Sequence, residues 1–322
     1  MTYLARRAGH SLLVLFGVSV LSFVFTELAP GDFFSDMRLN PQVSAATVAG
    51  LRTQYGLDRP LPVRYVRWLG SVARGQWGYS FAYNMPVLPL LWSRARNTLA
   101  LTITAALLAW LLAIPLGVWA ANWRGRWLDH VLGAGTSALL AIPDLLLALA
   151  LLMLALRTQA FPVGGMVSLD HAGLSFAGRI RDLVWHFTLP VVALVLGTLP
   201  TFLRHVRAGM VEALEAPFLQ AARSHGLPRW RILFGYALPA AANPLISLLG
   251  LSVATLLSAS LLVEAVMSWP GLGPMLLEAI LARDVYLIIG AVMFSSLFLL
   301  AGNLIADALL CLADPRIRTE QP

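Results

Sequence analysis

The side chains that could do chemistry are few and widely spaced. Six histidines stand at 10, 130, 171, 186, 205 and 225, without a His-Glu-x-x-His pair or any other metal-ligand spacing. Capping or interfacial hydrogen bonding is their expected role. No Gly-x-Ser-x-Gly turn presents a serine nucleophile. The chain has no lysine at all, so a phosphate-binding Gly-x4-Gly-Lys-Ser/Thr loop is impossible. The one cysteine, Cys311, lies in an apolar run, which excludes a disulfide framework and a cysteine-based metal site. These residues do not assemble a nucleophile with its base or a metal centre. If the chain moves a solute against a gradient, the energy must come from a partner or from an ion gradient.

Four acids lie in or beside apolar runs: Glu27, Asp144, Glu264 and Asp307. Asp144 is the least expected, because it follows Pro143 near the middle of Val131 to Leu156. A charged aspartate at mid-span costs roughly 2.5–3.5 kcal/mol on the insertion scale. Pro143 removes a helical hydrogen bond to the Leu139 carbonyl, so the backbone is expected to be open there. Two roles fit Asp144: a pathway-facing group favouring cargo with a positive end, or a protonated or hydrogen-bonded packing group. Glu264 and Ser258 complete the candidates for a pathway or gate. Ser258 also belongs to a four-residue repeat with Gly250 and Ala254, which suits close helix packing.

The other polar cluster is a short interruption from Glu215 to Pro239, between two apolar runs. It carries Arg223, Arg229, Arg231 and His225 against the single acid Glu215. Positive charge beside apolar spans marks a cytoplasmic loop. Pro217 can start a helix, and Gly226 can end it in the left-handed conformation that other residues avoid. Pro228 suits the start of a second short helix, expected to stop before Pro239. Two short helices broken at a glycine make a compact knob, with small residues at Ala221 and Ala222, able to enter a groove on another protein.

The elements that must position these groups are membrane spans. Hydrophobic residues make up 58% of the 322 residues and charged ones 12%, with a mean hydropathy of +0.75. That is too apolar for a soluble globular protein and leaves room for several spans of roughly 20 residues. The net charge of +7 is carried by arginines scattered among loops, unlike the single basic face of a nucleic-acid binder. Spans are expected at Ala8–Leu28, Thr98–Ala121, Val131–Leu156, Trp185–Leu203, Pro239–Val263 and Val285–Cys311. The first reads as uncleaved, since its apolar run exceeds a signal-peptide core and Glu27-Leu28-Ala29 is a poor cleavage site.

Between Pro30 and Arg96 the pattern predicts two surface helices. Ser44 caps the first, with Val48, Leu51 and Tyr55 on one face and Gly56 as the stop. In the second, Leu61, Tyr65, Trp68, Leu69 and Val72 share one face, and Arg64, Arg67 and Arg74 another. Eight arginines against three aspartates run against a simple positive-inside count for an outside segment, but that rule weakens in long loops. The loop from Arg157 to about Trp185 is expected to be irregular. Ser268-Trp269-Pro270-Gly271-Leu272-Gly273 cannot continue a regular helix, and such backbone at membrane depth must be covered by protein or line a cavity.

The spacing Gln220-Ala221-Ala222-x3-Gly226-x11-Leu238-Pro239 resembles the loop of ABC importer permeases that docks on the ATPase subunit. Gln220 stands where that family's motif has Glu, and Tyr236 where it has Ile. Leu28-Ala29-Pro30-Gly31-Asp32, Leu51-x4-Tyr55-Gly56-Leu57-Asp58-x-Pro60 and Tyr65-x2-Trp68-Leu69-Gly70 are similar to the amino-terminal region of dipeptide and oligopeptide permeases. Glu264, Trp269 to Gly273, Ala282-Arg283-Asp284, Asn303, Asp307 and Asp314-Pro315-Arg316-Ile317-Arg318 are similar to their carboxy-terminal region. The resemblance thus covers nearly the whole chain in order.

It implies an all-α membrane protein of the type I importer fold. Six transmembrane helices would leave both termini in the cytoplasm of a bacterial inner membrane. Residues 1–96 would form the first span and an extracytoplasmic segment. Residues 97–314 would form the core, with a coupling loop over 206–238, and 315–322 a tail. Gln220, Ala221, Ala222, Gly226, Leu227 and Pro228 would couple to the ATPase. The implied partners are a second permease subunit, ABC ATPase subunits and an extracytoplasmic substrate-binding protein. ATP and Mg would be bound by the ATPase, and no cofactor or metal by this chain. Dipeptides or oligopeptides are the implied cargo, with nickel or glutathione as alternatives. An ion-coupled secondary carrier is the rival class, but evident inverted repeats are missing from the sequence.

Overall fold

The computed structural model describes residues 2–28, 31, 33–34, 44–54 and 56–313. The motif positions Ala29, Pro30, Asp32, Tyr55 and Asp314-Pro315-Arg316-Ile317-Arg318 lie outside the described residues. In chain order the helices are α1 Thr2–Leu28, α2 Ala45–Gln54, α3 Leu61–Val72, α4 Val87–Asn122, α5 Trp127–Leu140, α6 Asp144–Thr158 and α7 Phe176–Glu215. Then follow α8 Pro217–Ser224, α9 Arg229–Ile232, α10 Leu238–Ala240, α11 Ala242–Val266, α12 Leu272–Leu281 and α13 Val285–Ala313. A two-stranded hairpin, β1 Tyr79–Ser80 and β2 Met85–Pro86, precedes α4. Among the described residues, α1, α4, α7 and α13 are long and apolar enough to cross a membrane. Six crossings result when the bent pair α5–α6 and the pair from Arg229 into α11 each count as one.

The expected third span, Val131–Leu156, is not one helix. It breaks at Ala141, and α5 and α6 meet at 96°. Pro143, with no N–H to give, becomes the cap of a new helix rather than a kink in the old one. Asp144 therefore opens α6 instead of sitting in mid-helix. The Leu139 carbonyl, expected to be left open, accepts from the Ile142 N–H (3.2 Å).

Two other boundaries move for packing reasons. The second span starts at Val87, earlier than the polar Ser93–Asn97 stretch suggests, because Val87, Leu90, Leu91 and Ala95 are all buried at helical spacing. The fourth starts at Phe176, where the Ser175 hydroxyl accepts from the Gly178 N–H, and runs to Glu215. The Arg157–Trp185 connection is thus irregular only up to Ser175. Beyond Leu203 the buried stripe continues through Val206, Met210 and Ala213, so residues 206–215 are helix rather than loop. Pro239 does not stop the next element either: a π-helical turn at Leu233–Ala237 leads into α10, and the bend follows at Ala241.

The chain forms two compact units. In the one made of residues 6–98 and 270–300, α3 lies along α1: Phe23 meets Tyr65 edge-on at 5.2 Å and Trp68 at 5.1 Å. The Tyr65 hydroxyl is 2.8 Å from Ser19 Oγ. Arg64, expected on the polar face of α3, is instead buried and donates to Glu27 Oε2 at 2.7 Å. The Ser44 cap is present, its Oγ accepting from the Thr47 N–H (3.1 Å), and Gly56 has the left-handed φ of 67°. Buried Asp284 fastens the hairpin, accepting from the Ser80 hydroxyl (2.7 Å) and the Ala82 N–H (3.0 Å). Tyr83 donates to Glu278, and burial together with that hydrogen bond pushes its phenol up to about 12.

The unit of residues 1–5, 99–269 and 301–322 holds the main apolar core, from Leu101 to Trp269. Here α7 packs on α5, α6 and α11. Gly250 of α11 lies against α13, where an added Cβ would stand 2.7 Å from that of Ala306. The small residue there serves packing, while Ser258, two turns on, is exposed. The irregular backbone after α11 is as expected: Ser268 takes φ 51°, and Trp269 is fully buried edge-on to Phe187.

Candidate functional site

The knob grows directly from the end of α7. Ala216 turns to extended backbone (φ −65°, ψ 141°), which Pro217 accepts as the first residue of α8. The eight residues of α8 are far too few for a stable isolated helix, so packing must hold it. Leu219 supplies that anchor at 0% exposure, and Ala222, Leu227 and Ile232 pack on the same core. The Arg223 guanidinium donates to the Leu214 carbonyl and the Gln220 amide to the Glu215 carbonyl, both at 3.3 Å. Glu215 itself is paired with Arg124, which follows α4.

Gly226 ends the first half with φ 71°, its N–H donating to the Arg223 carbonyl (3.0 Å). No atom lies within 4 Å of where its Cβ would be. Pro228 then caps α9. The structure thus gathers Gln220, Ala221, Ala222, Gly226, Leu227 and Pro228 into one knob whose base is apolar and whose tip, including Gln220, Ala221, His225 and Gly226, is exposed. Beside the tip, Phe218, Trp230 and Phe234 present about half or more of their surface, interleaved with exposed Arg223, Arg229 and Arg231. Aromatic and guanidinium surface thus alternate around the tip. A recess of about 450 Å³ lies behind the knob, with Arg124, Arg223 and Arg229 on its wall.

The pathway candidates lie elsewhere, on α6 and α11. Asp144 is exposed at the first residue of α6, where the helix dipole favours a carboxylate. Its Oδ1 lies against Gly197 of α7, 2.6 Å from where a Cβ on that residue would stand. Ser258 is likewise exposed, and Glu264 is fully buried in the last turns of α11.

Two family models cover almost the entire chain. "Binding-protein-dependent transport system inner membrane component" matches residues 113–319, and its N-terminal companion matches residues 1–102. The chain belongs to this family. Relatives of the permease include the oligopeptide transport system permease protein AppB of Bacillus subtilis (strain 168), 33% identical over 98% of each chain. The probable D,D-dipeptide transport system permease protein DdpB of Escherichia coli (strain K12) is 34% identical over 98% of this chain and 96% of its own. The dipeptide transport system permease protein DppB of the same strain is 32% identical over 99% of each. Among solved structures, the inward-facing MetNI methionine ABC transporter superposes with a TM-score of 0.51 at 20% identity, covering 68% of this chain and 96% of that one. The permease therefore has the type I importer fold and is a membrane subunit of an ABC importer.

One ion pair that no sequence pattern announced joins α5 to α7 in this permease. Asp129, in the first turn of α5, takes a two-pronged contact from Arg207 of α7 (2.6 and 2.7 Å) and a third hydrogen bond from the Gly125 N–H (3.0 Å). Arg204, one turn back, donates to the Ser137 hydroxyl at 2.7 Å. The partners are 78 residues apart in the chain, and no local spacing announces them. The loop sequence Arg124-Gly125-Arg126 before an acid was the only available signal. Gly197 was equally silent, being a small residue in an apolar run.

Proposed function

We propose that this permease subunit carries dipeptides or oligopeptides and is driven through the Gln220–Pro228 knob by a partner ATPase. The observation that carries the reading is the knob's construction: a base locked into the core by Leu219, with an exposed tip flanked by aromatic and arginine side chains. A surface of that kind suits a groove on a second protein, and its fixed base would pass a push on the tip into α7 and α11. Closure of the ATPase subunits on ATP and Mg would tilt these helices and alternate access to the pathway. The chain supplies no phosphate-binding lysine loop of its own, in keeping with hydrolysis by the partner.

A second permease subunit would complete the pathway, and a substrate-binding protein would deliver the cargo on the face opposite the knob. In this arrangement both termini and the knob are cytoplasmic, in keeping with the arginines at 124, 126, 223, 229 and 231. The peptide class is supported by the names of the relatives, and the exposed carboxylate of Asp144 suits a peptide ammonium passing by. The test is uptake by the reconstituted transporter, with its binding protein screened against peptides, glutathione and nickel. Peptide uptake that persists when the proton gradient is collapsed with ATP maintained supports the proposal. Uptake that fails under that condition assigns the chain to ion-coupled transport, and capture of nickel or glutathione alone refutes the peptide cargo.

A further inference from the structure

The arginine excess between residues 30 and 96, eight against three aspartates, has no use in the transport cycle described above. Three of these arginines meet in a cleft of about 860 Å³ within the unit of residues 6–98 and 270–300: Arg59, Arg64 and Arg67. No carboxylate is among the described residues lining it. Arg64 is 8% exposed and gives one nitrogen to Glu27, while its Nε has no hydrogen-bond partner among the described residues. Arg59 and Arg67 are exposed, and among the described residues neither forms an ion pair. Trp68, Trp77 and Tyr286 give the rest of the wall an aromatic stretch, beside the neutral polar Gln54, Ser71 and Gln76.

Its level relative to the membrane follows from the helices that reach it. Glu27, which holds Arg64, is the penultimate residue of α1; Leu88 and Pro89 lie in the first turn of α4; Tyr286 is the second residue of α13. Three spans thus have an end at this cleft, which puts it at the boundary between hydrocarbon and water. Trp and Tyr side chains favour that level. Guanidinium forks match the geometry of phosphate oxygens, and an incompletely bonded, buried guanidinium gains most from such a partner. A free anion would use the arginines but leave the aromatic wall without a function.

We propose that this cleft binds the phosphodiester headgroup of an anionic phospholipid, with its glycerol and upper acyl chain along Trp68, Trp77 and Tyr286. The lipid ties α3 to the ends of three spans and gives the segment's positive charge a counterion. The test uses the complete transporter, purified in detergent and titrated with phosphatidylglycerol, with retained lipid counted by native mass spectrometry. Wild type is compared with an Arg59→Gln/Arg67→Gln double variant, both side chains being exposed. The double variant should need about tenfold more lipid for equal retention, the loss expected for at least one charge-assisted hydrogen bond, and millimolar inorganic phosphate should not displace the lipid from wild type. Equal retention by the two proteins overturns the proposal. Displacement by inorganic phosphate overturns it in favour of a free-anion site, and displacement by the substrate-binding protein in favour of a protein contact.

Discussion

Replacing Gly226 separates the shape of the knob from its contacts. The residue holds φ 71°, and no atom lies within 4 Å of the position a Cβ would occupy. Gly226→Val therefore meets no steric obstacle; its whole cost is the left-handed backbone, about 1–2 kcal/mol and toward the upper end for a β-branched residue. That lowers the ratio of native to altered knob by a factor of about 5–30. Gly226→Asn presents a larger side chain to the same open space but tolerates the conformation far better. In proteoliposomes containing the whole transporter, substrate-stimulated ATP hydrolysis and peptide uptake should fall in the valine variant, by at most about 5–30-fold, and stay near wild type in the asparagine variant. Membrane insertion should be equal in both. Equal activity of the valine variant and wild type would show that the left-handed turn at Gly226 does not matter to coupling, and equal damage from asparagine and valine would show that backbone conformation is not the cause.

Further outcomes follow from the other contacts. Gly197→Ala places a methyl 2.6 Å from the Asp144 carboxylate, so it should lower uptake, and Asp144→Ser in the same chain should restore part of it. Asp144→Ser alone, at equal expression, should slow cationic peptides more than neutral ones already captured by the binding protein; equal transport of both would make Asp144 a packing residue. Asp129→Asn gives up the charge in a two-pronged pair with Arg207, at a cost of about 1–3 kcal/mol, read as a lowered midpoint of thermal unfolding in detergent. In a Cys311→Ala background, a cysteine replacing Arg59 should react with an impermeant thiol reagent from outside the cell, and one replacing His225 only once the inner face is opened; the reverse pattern contradicts the orientation.

Features set by local backbone chemistry were legible in the sequence. Pro217, Gly226 and Pro228 marked the two halves of the knob, and Ser44 and Gly56 the limits of α2, because a missing N–H, a positive φ or a capping hydroxyl acts within a few residues. Features set by distant partners were not. Arg64 looked solvent-facing by helical spacing, yet Glu27, 37 residues away, draws it inward. Pro143 announced a disturbance but not its size, since a kink and a 96° turn differ only in what the next helix packs against. The second span was expected to begin at Thr98, but the burial of Leu91 and Ala95 carries α4 through Ser93 to Asn97. The Asp129–Arg207 pair and the Asp144–Gly197 approach belong to the same class.

The most direct test of the coupling claim is a crosslink from the tip of the knob. With Cys311 replaced, Ala221→Cys places a thiol on the exposed tip, and a short bifunctional reagent is applied to the active transporter with and without ATP. The expected result is a product joining this chain to the ATPase subunit, formed at a yield that changes with ATP, and a loss of uptake once it forms. A transporter that imports peptide while the Ala221 position joins no ATPase subunit in either state would contradict it.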